Sequence, residues 1–247
     1  MMTRILAIAV AFACAAQAQR LTWYERLLLH HDAETISGIV VDETGHPVAD
    51  AHIDHSDVQA REQLFTDDHG RFELRTRAPA VVVRKLGYNG ELVRLTNARA
   101  LRITLRRATR TLPVCSSVCR TLASPASVFC IPTVAGVQSG EQGRYEQTFV
   151  RTFTIHTPAS SAEMLHGAGP SWTLGIPYTG DVWESADYSE SAYTWGGSDI
   201  VDARGRGPAG KLWRYFGRFG ESISYYEAAP AAAALFDRAI SGVCASK

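Results

Sequence analysis

A mainly β fold is predicted by three features of this sequence. Short runs rich in Val, Ile, Leu and Phe recur from Ile36 to Arg107, clusters of Gly, Pro, Asn and Asp separate them, and the last run alternates with period two. In that run Leu101, Ile103 and Leu105 alternate with Arg102, Thr104 and Arg106, so one face enters a core and the other meets water. With 247 residues, 46% of them apolar, the chain is long enough for one or two domains. The expected order is an antiparallel β-sandwich over 35–108, a cysteine-containing connector over 109–143, and a β-rich unit with a C-terminal helix over 144–247.

Residues 1–18 read as a signal peptide: Arg4 supplies the positive end, Ile5 to Ala13 the apolar run, and Ala16-Gln17-Ala18 the cleavage site. The mature chain then starts near Gln19 and is exported, to the periplasm or the cell exterior. The apolar run is too short for a membrane span, which needs about 20 residues, so no transmembrane segment is expected. Lipid anchoring at Cys14 is the competing reading, and Phe12 fits it poorly. Over 19–34, Trp23, Tyr24, Leu27 and Leu28 fall at helical spacing and predict a short amphipathic helix capping the sandwich.

The sandwich strands follow in order. Ile36–Val41 comes first, and Glu43-Thr44-Gly45-His46-Pro47 is a turn, because glycine permits positive φ and proline restricts the exit. Ala51–His55 and Glu62–Phe65 follow, then Asp67-Asp68-His69-Gly70 makes a tight turn into Arg71–Arg75. Ala80–Lys85, Leu92–Leu95 and Leu101–Leu105 complete the set.

Ile36-Ser37-Gly38-Ile39-Val40, Asp42, Gly45-His46-Pro47-Val48-Ala49-Asp50-Ala51, Thr66-Asp67-Asp68-His69-Gly70-Arg71-Phe72 and Gly87-Tyr88, in this order and spacing, resemble the carboxypeptidase regulatory-like family. The resemblance covers about 36–107 and implies a transthyretin-like, carbohydrate-binding-like β-sandwich, an accessory module of exported proteins. The motif residues form turns and core, and the resemblance carries over no catalytic residue. A sandwich of this kind serves many tasks, so it names no ligand.

Without the signal segment four cysteines remain, Cys115, Cys119, Cys130 and Cys244, and an oxidising compartment favours two disulfides with three pairings open. A zinc site is the rival reading, weakened by the Cys115–Cys119 spacing and the lack of a nearby histidine. In the second unit, Tyr145–His156, Ser171–Ile176, Ala192–Trp195, Lys211–Arg218 and Glu221–Tyr226 are the predicted strands. Pro230 suits the first helical position, Ala231 to Ala234 favour helix, and Leu235, Phe236, Ala239, Ile240 and Val243 form one apolar face, with Gly242 as the stop.

Functional signals are sparse. Lys plus Arg and Asp plus Glu both total 25, a balance that argues against nucleic acid as partner. From Arg84 to Arg120 basic residues dominate, and arginines on solvated strand faces explain them more simply than a polyanion site. Nucleophile-elbow, zinc-peptidase and phosphate-loop motifs are all missing, so no catalytic residue, metal or cofactor is assigned. His52 and Asp54 share a strand face but lack a third ligand, and Asp67 and Asp68 read as turn residues rather than calcium ligands. The most suggestive cluster is Trp172, Tyr178, Trp183, Tyr188, Tyr193 and Trp195, beside Asp181, Glu184, Asp187 and Glu190. Aromatic faces with carboxylates are how sugar sites stack and orient a ring, although aromatics also fill cores. The leading expectation is therefore a non-catalytic binding or structural protein, with a glycan or another exported or cell-surface protein as partner. The alternative is a hydrolase of unknown type with its site in 172–195.

Overall fold

The computed structural model describes residues 33–55, 64–95, 100–116, 122, 124, 127–145, 148–156, 161–169, 185, 187–207 and 210–246. Residues 1–18, expected to be a signal peptide, with Cys14, nearly all of 19–34, Cys119, the strand expected over 171–176, and Trp172, Tyr178 and Trp183 lie outside them.

The first unit is a pair of four-stranded sheets packed face to face. One sheet holds β1 (Glu34–Asp42), β4 (Arg71–Thr76), β6 (Tyr88–Asn89) and β8 (Ala100–Arg107), in the order β4-β1-β8-β6. The other holds β2 (His52–His55), β3 (Leu64–Phe65), β5 (Ala80–Arg84) and β7 (Glu91–Arg94), in the order β3-β2-β5-β7. Val40, Phe72, Leu74, Ile103 and Leu105 from the first meet Ile53, Val81 and Val83 from the second. The expectation of an antiparallel sandwich needs one correction: β1 and β8 pair in parallel, so the first sheet is mixed. Alternation puts the same residues on the inner face whichever way a strand runs, so the pattern carried no direction.

Turns are held as their residues suggest. Asp67 Oδ1 accepts the amides of His69 at 2.9 Å and Arg71 at 2.7 Å. Gly70 sits at φ +71°, and an added Cβ there would collide with the Val40 carbonyl oxygen. Thr66, buried behind this turn, donates to the Val48 carbonyl and accepts the Ala51 amide, both at 2.8 Å.

The second unit is an eight-stranded sheet in the order β11-β12-β13-β17-β16-β15-β14-β9. Its strands are β9 (Arg110–Thr111), β11 (Gln138–Tyr145), β12 (Thr148–His156), β13 (Ser161–Ala168), β14 (Ser189–Trp195), β15 (Ser198–Arg206), β16 (Leu212–Arg218) and β17 (Glu221–Ala228). Both edge strands reach into 109–143, the stretch expected to be connector only. Gln138-Ser139-Gly140-Glu141-Gln142-Gly143 is polar and glycine-rich, and forms a strand because its backbone pairs with β12, with a bulge between Ser139 and Gln142.

One face of this sheet carries helix α1 (Pro230–Ser241), which buries Ala232, Ala233, Phe236, Ala239 and Ile240 against Ile200, Phe216, Ile223 and Tyr225. Pro230 opens the helix as expected. Gly242 ends it at φ −94°, so its role is close approach rather than a left-handed turn: an added Cβ would lie 2.7 Å from Pro132 Cγ. Just beyond, β18 (Cys244–Ala245) pairs with β10 (Phe129–Cys130) and returns the chain end to the connector.

The other face of the sheet receives the sandwich. Within β5, Val81 and Val83 point into the sandwich core, while Ala80 and Val82 pack on Ala203 and Trp213 of the large sheet, joined by Leu92, Tyr188, Val201 and Tyr226. This strand is buried on both faces, which explains its unbroken Ala-Val-Val-Val run.

Candidate functional site

Strand alternation divides the aromatic cluster. Tyr188 and Glu190 lie on the face of β14 toward the sandwich, while Tyr193 and Trp195 lie on the face toward α1. The three described aromatics of the cluster therefore do not form one row. Trp172, Tyr178, Trp183, Asp181 and Glu184 lie outside the described residues.

Glu190 sits where the two units meet, its side chain only 2% exposed. Arg84, at the end of β5, donates from Nε to both Glu190 oxygens at 3.1 Å and from Nη2 to Oε2 at 2.9 Å. Its Nη1 donates to Asp54 Oδ2 at 2.7 Å, and Nη2 also reaches the Tyr188 hydroxyl at 3.3 Å. The Tyr188 hydroxyl donates in turn to Glu190. Burial alone would lower the Arg84 guanidinium, but the Glu190 carboxylate, helped by Tyr188 and Asp54, holds it above its ordinary value. Burial also pushes the Tyr188 phenol up, with Glu190 adding to the shift and Arg84 opposing it. Glu190 further rests on Gly90, where any side chain would collide with its carboxylate. Around this latch, the Ala192 amide donates to Asn89 Oδ1 at 2.9 Å and the Gly87 amide to Asp199 Oδ2 at 2.7 Å.

Each of the other two described rings faces a cation. The Arg110 guanidinium lies 5.7 Å from the Tyr193 ring centre and that of Arg218 5.5 Å from the Trp195 ring centre. Tyr193 also meets Phe216 edge-on at 5.8 Å. Tyr188 leans on Trp213 at 6.1 Å.

A second buried charge escaped sequence reasoning. Glu221, at 0% exposure, accepts from Ser127 Oγ at 2.7 Å, from the amides of Val128 at 2.7 Å and Phe129 at 3.1 Å, and shares a 2.8 Å hydrogen bond with His166 Nε2. It staples the connector to the start of β17. Ser127 donates to the carboxylate rather than to the imidazole, so His166 is not placed as a base for that hydroxyl. A third carboxylate, Asp202, takes Arg214 in two bonds of 2.8 and 2.9 Å, and Arg214 reaches Asp237 of α1 at 3.0 Å.

Cys115 and Cys244 are joined, with their α-carbons 5.1 Å apart. Cys130 stands opposite Cys244 in the β10–β18 pair and is disulfide-bonded as well, and the sulfurs of Cys115, Cys130 and Cys244 lie within 4.8 Å of one another. In this oxidised state the three offer no thiolate to a metal. Of the predicted metal candidates, Asp54 is taken by Arg84 and His52 packs on Phe65 at 5.1 Å between ring centres. Asp67 spends its carboxylate on turn amides. Among the described residues no helix is long and apolar enough to cross a membrane.

No family model and no curated protein matches this sequence. Among solved structures, the crystal structure of a DUF3823 family protein from Bacteroides ovatus ATCC 8483 aligns with 78% of this chain and 95% of its own, at 9% identity and a TM-score of 0.24.

Proposed function

We propose that this is an exported, non-catalytic binding or structural protein whose carboxypeptidase regulatory-like sandwich is fixed onto the larger β unit, and whose partner is a glycan or another exported or cell-surface protein. The observation that carries the reading is the use made of the buried carboxylates. Glu190, which accepts from Tyr188 of the aromatic cluster, is spent on holding Arg84 and Tyr188 across the junction. Glu221 is likewise consumed by the connector's amides, and Asp202 by Arg214 of β16. A general acid or nucleophile needs a carboxylate facing a cleft with its proton free to move, and these three are enclosed by donors. Export is supported by the Cys115–Cys244 bond, which persists in oxidising compartments, together with the signal-like first 18 residues.

A glycan-array assay on residues 19–247, beside Trp183→Ala and Trp195→Ala variants checked for folding, tests the reading. Saturable binding without release of new reducing ends is the expected result. Time-dependent cleavage of any bound glycan would overturn the non-catalytic assignment.

A further inference from the structure

The sheet β4-β1-β8-β6 turns its inner face to the sandwich core and its outer face to water. On that outer face stand Arg71 and Arg75 from β4 and Arg102 and Arg106 from β8, all exposed. Register sets their arrangement. Arg71 and Arg102 both pair with Ile39 of β1, one on each side, which separates them by two strand spacings, roughly 10 Å. Arg71 to Arg75 and Arg102 to Arg106 each span four residues of strand, about 13 Å. Beside Arg71 the face carries an open groove lined also by Ser37, Ile39, Asp67, Glu73 and Leu101, and the other three arginines stand outside its lining.

Among the described residues none of the four arginines is in an ion pair. The acidic groups facing them are Glu73 in the same face, Asp67 at the groove rim with its Oδ1 on the turn amides, and Glu91, whose carboxyl is raised by burial with Arg106 opposing the shift. Where Arg84 and Arg214 are consumed by carboxylates, these four present their charge outward. Guanidinium groups spaced this way cannot converge on one small anion. They match a polymer that carries negative charge at intervals along its length. The face has no aromatic platform for stacking bases, and the whole chain balances 25 basic against 25 acidic side chains, so nucleic acid is the poorer match.

We propose that the outer face of β4-β1-β8-β6 is a docking surface for an anionic polysaccharide, its acidic groups paired with Arg71, Arg75, Arg102 and Arg106. This deepens the binding reading above and rests on it. The test uses the mature chain, residues 19–247, against polygalacturonate, neutral dextran and poly-glutamate, with Kd measured from 50 to 300 mM salt, roughly the range over which ionic contacts weaken strongly. Binding to polygalacturonate that weakens with salt, and that falls on the order of tenfold or more in the Arg71→Glu/Arg102→Glu variant, is expected. Far-UV circular dichroism and an unchanged unfolding midpoint establish that this surface variant is folded. Equal binding by wild type and variant, preference for poly-glutamate, or no binding to polygalacturonate overturns the surface assignment. Dextran binding that the variant keeps does so too, yet leaves the broader binding reading standing, whereas new reducing ends in polygalacturonate defeat that reading itself.

Discussion

Replacing Glu190 by glutamine tests whether the junction between the two units depends on a buried charge. The change keeps shape and removes the negative charge that faces Arg84. In the native protein the Arg84 side chain is 22% exposed, Glu190 2% and Asp54 14%, so after substitution Arg84 retains one partly buried carboxylate and loses its main one. Breaking a fully buried pair on one side costs about 3–5 kcal/mol. The residual exposure of Arg84 and its bond to Asp54 reduce this to about 2–4 kcal/mol here. Urea unfolding followed by tryptophan fluorescence should show a lower midpoint at unchanged slope. In an Asp54→Asn background, which spares Asp54 from being left as an unpaired charge, Arg84→Met combined with Glu190→Leu removes every charge of the latch and fills the space with apolar atoms. It should recover most of the loss, because the pair's Coulomb gain largely offsets its desolvation. A Glu190→Gln loss below about 0.5 kcal/mol, or a combined variant no better than Glu190→Gln, would refute the account.

Three further outcomes are expected. Non-reducing peptide mapping should recover Cys115 joined to Cys244, and Cys119 joined to Cys130, the pairing left once Cys14 is removed with the signal segment; the Cys115→Ser/Cys244→Ser variant should lose up to about 5 kcal/mol in the loop-entropy model, since the bond spans 129 residues. Gly242→Ala should cost about 1–3 kcal/mol in thermal or urea unfolding, because its Cβ would sit 2.7 Å from Pro132 Cγ; an unchanged midpoint would contradict this packing. The Thr44 hydroxyl, with the His46 and Thr44 amides, holds the Asp42 carboxyl below its ordinary 3.8 against the effect of burial, so its stabilisation is complete above the unfolded value and is lost as pH falls through the lower folded value; the stability–pH curve of Asp42→Asn should be flatter in that acid range, and parallel curves would count against it.

Legibility in the sequence followed periodicity. All the sandwich strands but the two-residue β6 could be read to within a few residues because their inner faces are aliphatic and their turns use Gly, Pro and Asp. Helix α1 could be read from Pro230, the alanine run and the Phe236/Ile240 face. Strands β13 and β15 could not, because buried polar groups interrupt their alternation: His166 pairs with Glu221, and Asp202 with Arg214. Strand β11 was hidden for another reason, since its polar residues owe their conformation to pairing with β12 and not to a buried face. The same limit applied to the candidate site. An aromatic and acidic stretch has one appearance in sequence whether it forms a row or splits, and alternation along β14 sends Tyr188 and Glu190 one way and Tyr193 and Trp195 the other.

The charged residues sort by what lies opposite them. Arg84, Arg107 and Arg110 all belong to or border the arginine-rich interval that sequence reading assigned to solvated strand faces, yet each has a partner: Glu190, Asp42 at 3.8 Å, and the Tyr193 ring. Arg102 and Arg106 lie in the same interval and point to water. For Arg84 the difference follows from layering. Strand β5 is covered on both sides, so a charge at its end must meet a counter-charge or pay several kcal/mol in desolvation. Sheet β4-β1-β8-β6 is covered on one side only, so its outer arginines carry no such requirement. A surface under no demand for internal pairing is where charge is free to be used on a partner.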